Sequence, residues 1–291
     1  MTFIVSFFLN LLFVGFFARK FPLDMPNSRK IHTIPIPLTG GVAIFIALLV
    51  TEKNLLTIIP VVLAFSLGFL DDIEDLSYKI KLPVQFLIAL SALFVVSQKI
   101  TFFGITLNNT LGRVIELFWF MSMLNAINMI DGIDGLACST TMISSLLSKE
   151  YNLALAVAGF LPFNLPRAKS FLGNSGATLL GIYLPMRVLE FFDGDLGFAT
   201  IFLGYPAFEI LSSFTRRIIK HRNPLVADKE HTHHLLIKKT NIYKTLIVLL
   251  SFSLLCNLLG LSKKLWSFVI YLCICAVFFA YCFLQRRDSN R

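Results

Sequence analysis

LGRVIELFWFMSMLNAINMIDGIDGLA, residues 111–137, runs apolar to Ile130 and then breaks into Asp131, Gly132, Asp134 and Gly135. Its apolar part approaches the roughly 20 residues that a helix needs to cross a bilayer. Asn125, Asn128, Asp131 and Asp134 therefore gather where hydrocarbon gives way to water. A carboxylate near hydrocarbon is costly unless a metal, a partner or water compensates it, so such density points to chemistry. A loop that only caps a helix would need fewer of these groups.

Working outward, the chain is 56% hydrophobic and 15% charged over 291 residues, and long unbroken apolar stretches recur along it. Unbroken stretches favour helices over alternating barrel strands. The fold class expected is all-α, a single polytopic transmembrane domain over residues 1–291. About eleven spans are expected, at 2–17, 38–51, 55–70, 82–97, 111–130, 135–149, 151–164, 175–192, 196–214, 244–260 and 265–284. Threading them from an outside N-terminus puts most of the 26 Lys and Arg residues on one side and the C-terminus with them. The positive-inside rule makes that side cytoplasmic, and the same charge distribution supports the number eleven.

The first run, MTFIVSFFLNLLFVGFFARK, lacks a basic start and a small-residue cleavage site, so it reads as a retained span. The five cysteines lie in apolar segments without metal-ligand spacing and read as core filler. A net charge of +9 suits anionic headgroups and anionic substrates and requires no nucleic acid. Glu116 and Arg187 are expected to snorkel at outer helix ends. Glu209 lies deeper, divided between helix-to-helix hydrogen bonding and a role near a lipid groove.

The expected cytoplasmic loops carry the remaining signals. PNSRKIHTIPIPLTGG (26–41) offers Arg29 and Lys30 to phosphate, or else is an anchor and a turn. DDIEDLSYKIKLPVQ starts with Asp71 and Asp72 and holds Lys81. Its acidic residues call for a hard cation such as Mg²⁺ or Mn²⁺, whereas capping, worth about 1 kcal/mol, would explain one aspartate. FLGNSGATLLG (171–181) brings glycines around Asn174 to a helix start, where anions are favoured. RRIIKHRNPLVADKEHTHHLL (216–236) sets His231, His233 and His234 near Arg222, a set that suits phosphate better than zinc. Acidic metal ligands, basic phosphate ligands and glycine turns on one face fit phosphoryl transfer to a lipid phosphate.

In that order these motifs resemble the polyprenyl-phosphate N-acetylhexosamine-1-phosphate transferases of glycosyltransferase family 4, over about residues 26–236. HTHHLL is similar to the GlcNAc-type, O-antigen-initiating branch. The resemblance implies that undecaprenyl phosphate attacks the β-phosphorus of a UDP-N-acetylhexosamine, releasing UMP. It implies Mg²⁺ (or Mn²⁺) held at Asp134 and Asn174, Asp71 and Asp72 required for activity, and Asn128 and Asp131 lining the metal and nucleotide site. Lys81 would contact phosphate, Phe171 would lie near the uracil, and His231, His233 and His234 would lie near the pyrophosphate. A bacterial inner membrane location with a cytoplasmic active site follows, and a homodimer stays open. Family members generally carry aspartate where this chain has Asn174, which admits a catalytically impaired member as the alternative. A nucleotide-sugar transporter is disfavoured, since no inverted repeat is visible and the polar clusters lie in loops. The lipid phosphate is already largely ionised at neutral pH, so Asp71 and Asp72 are expected to position it rather than act as bases.

Overall fold

The computed structural model describes residues 1–26, 34–96, 99–221 and 231–283. Backbone groups that find no water in lipid must bond within their own segment, and the apolar stretches accordingly close as helices. Among the described residues these are α1 (Thr2–Leu12), α2 (Gly40–Thr51), α3 (Leu55–Glu74), α4 (Tyr78–Ala92), α5 (Asn109–Ile130), α6 (Leu136–Leu147), α7 (Tyr151–Asn164), α8 (Gly173–Phe191), α9 (Leu196–Phe202), α10 (Gly204–Ile219), α11 (Thr232–Lys239), α12 (Ile242–Leu261) and α13 (Leu265–Phe283). Among the described residues, strands form two antiparallel ribbons, β1 (Leu23–Asp24) with β2 (Ile36–Pro37) and β3 (Thr101–Phe102) with β4 (Ile105–Thr106).

Each apolar stretch expected from the sequence is helical over most of its length, the one at 196–214 in two pieces. Five helical runs are long and apolar enough to cross a membrane: Thr2–Lys20, α3, α5, α12 and α13. The pair α9 and α10, bent by 90°, raises this to six. Among the described residues the protein is therefore helical, with five to six membrane-span candidates. α2 and α6 are apolar but only 12 residues long, and α8 starts with the polar, glycine-containing GNSGAT segment.

At the bend between α9 and α10 the helical partner of the Phe202 carbonyl would be Pro206, which has no N–H, and buried side chains from later helices hold the break. Asn257 of α12 donates to the Phe202 carbonyl at 2.6 Å, and the Tyr271 hydroxyl of α13 donates to the Gly204 carbonyl at 2.9 Å. α8 is buried on nearly every side and forms the axis of the molecule. Neighbours approach it through small residues, as membrane helices do when they pack backbone to backbone. A Cβ on Gly68 of α3 would lie 2.2 Å from the Asn174 carbonyl oxygen, and one on Gly41 of α2 would lie 2.3 Å from the Gly176 nitrogen. α1 is turned the other way: its buried residues are Thr2, Ser6 and Asn10, and its apolar side chains face outward.

Polar groups collect at two opposite ends. At one, Arg187 pairs with Glu52, with Glu190 at 2.9 Å and with Glu150 at 3.6 Å, tying together α8 and the ends of α2 and α7. Arg113 pairs with Glu116 at 2.8 Å and caps the Leu93 and Val96 carbonyls. Neither Arg187 nor Glu116 snorkels as expected; each meets its counter-charge inside the protein, which lowers the cost of burial. Asp195 holds the β3–β4 turn through the Phe103 and Gly104 amides. The other end carries the acidic, glycine and histidine motifs. Gly68→Ala should lower thermal stability in detergent by about 1–3 kcal/mol, because neither backbone can yield to the added methyl.

Candidate active site at the second polar end

Asp71 and Asp72 form the last turn of α3, and Asp75 closes the helix in left-handed backbone. Asp72 is half-buried and turned toward α8. Its Oδ1 accepts the Asn174 N–H at 2.7 Å and its Oδ2 the Ser175 N–H at 3.0 Å, so it caps α8 from a neighbouring helix. Gly173, at φ +74°, lets the chain enter α8 beside this carboxylate; a Cβ there would meet Asp72 Oδ2 at 2.7 Å. Asp71 pairs with Lys81 of α4 at 2.8 Å and accepts the Leu76 N–H at 2.8 Å. Capping thus accounts for Asp72, an ion pair and a turn for Asp71.

The 131–135 turn joins α5 to α6, with Gly135 at φ +78° as the entry to α6. Asp134 Oδ2 accepts the Ala168 N–H at 3.1 Å. Asn164 at the end of α7 clasps the same turn: its Oδ1 accepts the Gly135 N–H at 3.1 Å and its Nδ2 donates to the Ser170 carbonyl at 3.2 Å. Ser170 continues this network to Thr39, whose hydroxyl lies 2.7 Å away, and Thr39 donates to Asn10 of α1 at 3.2 Å. Burial, and then the Asp72 and Asp134 carboxylates, hold Asp131 well above the ordinary carboxylate range. These aspartates therefore share one electrostatic environment, which a cation would relieve.

The histidines follow at the start of α11. His231 Nδ1 lies 3.1 Å from Glu209 Oε1 of α10. The His231 and His233 rings stack with centroids 5.6 Å apart, and His234 lies 4.2 Å from His233. His233 is buried against the acidic turn, where a Cβ on Gly132 would come 1.9 Å from its Nε2. Among the described residues, neither of its ring nitrogens has a hydrogen-bond partner. Burial, then His234 and His231, push its pKa well below the usual histidine value, so the ring is neutral at pH 7.

Between α4, α5 and α10 runs a groove of about 760 Å³. Lys81, Asn128, Arg217, His231, His233 and His234 line its polar part, and Leu82, Phe118, Met121, Ile210 and Phe214 its apolar part. Gln85 and Asn125 join across it in a reciprocal amide pair, at 3.2 and 3.1 Å. One groove thus offers cationic and imidazole groups to a phosphate and hydrocarbon-like walls to a chain.

Of the residues singled out from sequence, Lys81, Asn128, His231, His233 and His234 meet in this groove. Asp71 adjoins it through Lys81, and Asp131 through its neighbour Gly132. Asp72, Asp131 and Asp134 are electrostatically coupled. Asn174 touches Asp72 through its backbone amide. Phe171 is not among the residues lining the groove; its backbone is tied to Pro37 and Gly40. Arg222, like Arg29 and Lys30, lies outside the described residues. Sequence reasoning passed over Asn164 and Gln85 and counted Arg217 only within a basic run. Gln85 follows Lys81 by one helical turn, so the shared face was readable. Asn164 ends an apolar run with nothing local to mark it.

Among the described residues no three His, Cys, Asp or Glu side chains close into a metal cage. Mg²⁺ does not require one, since it keeps waters and takes one or two carboxylates plus substrate phosphates. Asp131, with no described donor on its carboxylate, and adjacent Asp134 fit that demand.

The glycosyl transferase family 4 model matches residues 54–191. The undecaprenyl-phosphate alpha-N-acetylglucosaminyl 1-phosphate transferase of Thermotoga maritima is 45% identical over 288 residues, 99% of this chain and 98% of that protein. The protein of the same name from Escherichia coli K12 is 29% identical over 280 residues, 81% of this chain and 76% of that protein. Near-complete coverage by such a relative, with acidic, glycine and histidine motifs converging at one end of the fold, shows that this chain belongs to glycosyl transferase family 4.

Proposed function

We propose that the protein transfers an N-acetylhexosamine 1-phosphate, GlcNAc 1-phosphate foremost, from a UDP-linked donor to undecaprenyl phosphate, starting a lipid-linked envelope glycan. The observation that carries this reading is the groove. Its apolar walls suit a polyprenyl chain, and they lead to Lys81, Arg217 and the histidines, which suit its phosphate. The relatives' names supply the sugar and the lipid.

In this reading a phosphate oxygen of undecaprenyl phosphate attacks the β-phosphorus of the donor. The bond from that phosphorus to the bridging oxygen breaks, and UMP leaves with the oxygen. The nucleophile is already ionised near neutral pH, so the step needs little from a base. Asp71 and Asp72 agree with this: one holds Lys81 and the other α8. Lys81, Arg217 and His231 bind and orient phosphate oxygens, while the walls exclude water from the reacting phosphates. Asp131 and Asp134 would hold Mg²⁺, which when bound neutralises charge on the pyrophosphate. Asn174 would be a further ligand of the same ion. An amide there weakens the ion's hold without removing the two carboxylates, so activity is favoured over an impaired protein.

Eleven crossings, an outside N-terminus and a site facing the cytoplasm of the bacterial inner membrane belong to the same proposal. Support comes from contacts that alternate between ends along the chain. Thr2 bonds Asn152 near Glu150, Thr39 meets Ser170, Glu52 meets Arg187, and Asp72 meets α8's start. In a background with the native cysteines replaced by alanine, a membrane-impermeant thiol reagent added to intact cells should label Ile105→Cys and leave Lys238→Cys unlabelled. The reverse pattern would invert the topology.

Three variants test the chemistry in a transfer assay with purified protein, Mg²⁺, UDP-GlcNAc and undecaprenyl phosphate. Lys81→Met should raise KM for the lipid about 10- to 100-fold, the loss of one charged hydrogen bond of about 1.5–3 kcal/mol. Asp131→Ala should lower kcat on the order of 100-fold. Met121→Trp should impair undecaprenyl phosphate more than a short-chain prenyl phosphate; equal loss for both would remove the chain from this groove.

A further inference from the structure

Glu209 is fully buried in α10, beyond the bend. Burying a carboxylate costs free energy that helix packing alone does not require, since an apolar side chain would fill the same space. Among the described residues, both donors that reach it come from the histidine segment. Its Oε1 lies 3.1 Å from His231 Nδ1 and accepts the Thr232 N–H at 3.1 Å. Thr232 is the first residue of α11, where backbone amides have no intrahelical acceptor. Glu209 thus fixes both the start of α11 and the ring just before it.

That second contact has a direction. A carboxylate on Nδ1 selects the tautomer with its proton there and leaves Nε2 as the other ring nitrogen. His231 lines the groove beside Lys81 and Arg217, so Nε2 is the ring atom left to face a phosphate, and it donates to a phosphate oxygen in the imidazolium form, which carries a proton on each nitrogen. We propose that Glu209 is a positioning residue for the groove, holding His231 by Nδ1 so that Nε2 addresses the phosphate of a bound substrate. The proposal rests on reading the polar part of the groove as a phosphate site.

The test compares the full-length wild type with Glu209→Gln, Glu209→Met, His231→Ala and the double variant Glu209→Met/His231→Ala, all in detergent. Glutamine still accepts from Nδ1 and from the Thr232 amide, so Glu209→Gln should fold as wild type and keep most activity. Glu209→Met should lose about tenfold or more in kcat/KM, as His231→Ala does, and the double variant should be no worse than His231→Ala. Losses that multiply would mean independent roles and overturn the proposal. So would a well-folded Glu209→Gln as poor as Glu209→Met. A second readout needs no activity: nitrogen-15 NMR of labelled histidine at alkaline pH, assigned by the signal missing in His231→Ala. The proposal expects an Nδ1-protonated His231 in wild type and in Glu209→Gln. A wild-type ring protonated at Nε2 alone would overturn it even in an active transferase. An Nδ1-protonated ring in a wild type that makes no lipid product would instead overturn the phosphate-site reading and leave the positioning contact intact.

Discussion

The carboxylate of Asp72 on the first amides of α8 is the contact on which the rest of the site depends. α8 is the axis of the molecule, and the first amides of its N-terminus have no acceptor within the helix. Asp72 supplies them from α3, and Gly68 and Gly173 clear the space that lets the two backbones meet. With α8 seated in this way, the preceding 168–174 segment is drawn under Asp134 and Asn164, and the acidic turn is fixed with it. A residue whose motif suggested catalysis thus acts first as a cap between helices.

The two ends of the protein solve opposite electrostatic problems. Around Arg187, three glutamates surround one cation, and the cluster is closed on itself. Around Asp131, burial and then the Asp72 and Asp134 carboxylates raise its proton affinity, and His233 lies buried with neither ring nitrogen partnered among the described residues. The first arrangement binds helices together. The second is left wanting a cation and an anion, which a metal-bound nucleotide-sugar and a lipid phosphate would supply together.

Much of this was legible in the sequence, for physical reasons. Lipid forces apolar stretches into helices, so their positions from 2–17 to 265–284 were readable, and the ordered motifs gave the family. The number of crossings was less so, because α2 and α6 are short and α9–α10 bends at a break held by Asn257 and Tyr271, far away in sequence. Helix faces were also hidden: α1 buries Thr2, Ser6 and Asn10, and hydropathy alone does not reveal a polar face turned inward. Within the site, Lys81, Asn128 and the histidines could be named because charge in an apolar protein is conspicuous. Asn164 and the acceptor role of Glu209 could not, since each depends on a partner distant in the chain. Phe171 stands apart from the groove, with its backbone tied to Pro37 and Gly40.

The decisive measurement follows the phosphorus. Purified protein would be given UDP-GlcNAc labelled at the β-phosphorus, with undecaprenyl phosphate and Mg²⁺, and both products analysed. Attack at that phosphorus puts the label in the lipid and releases UMP. Release of UDP with an unlabelled lipid would mean transfer of the sugar alone and would contradict the reaction assigned to this groove.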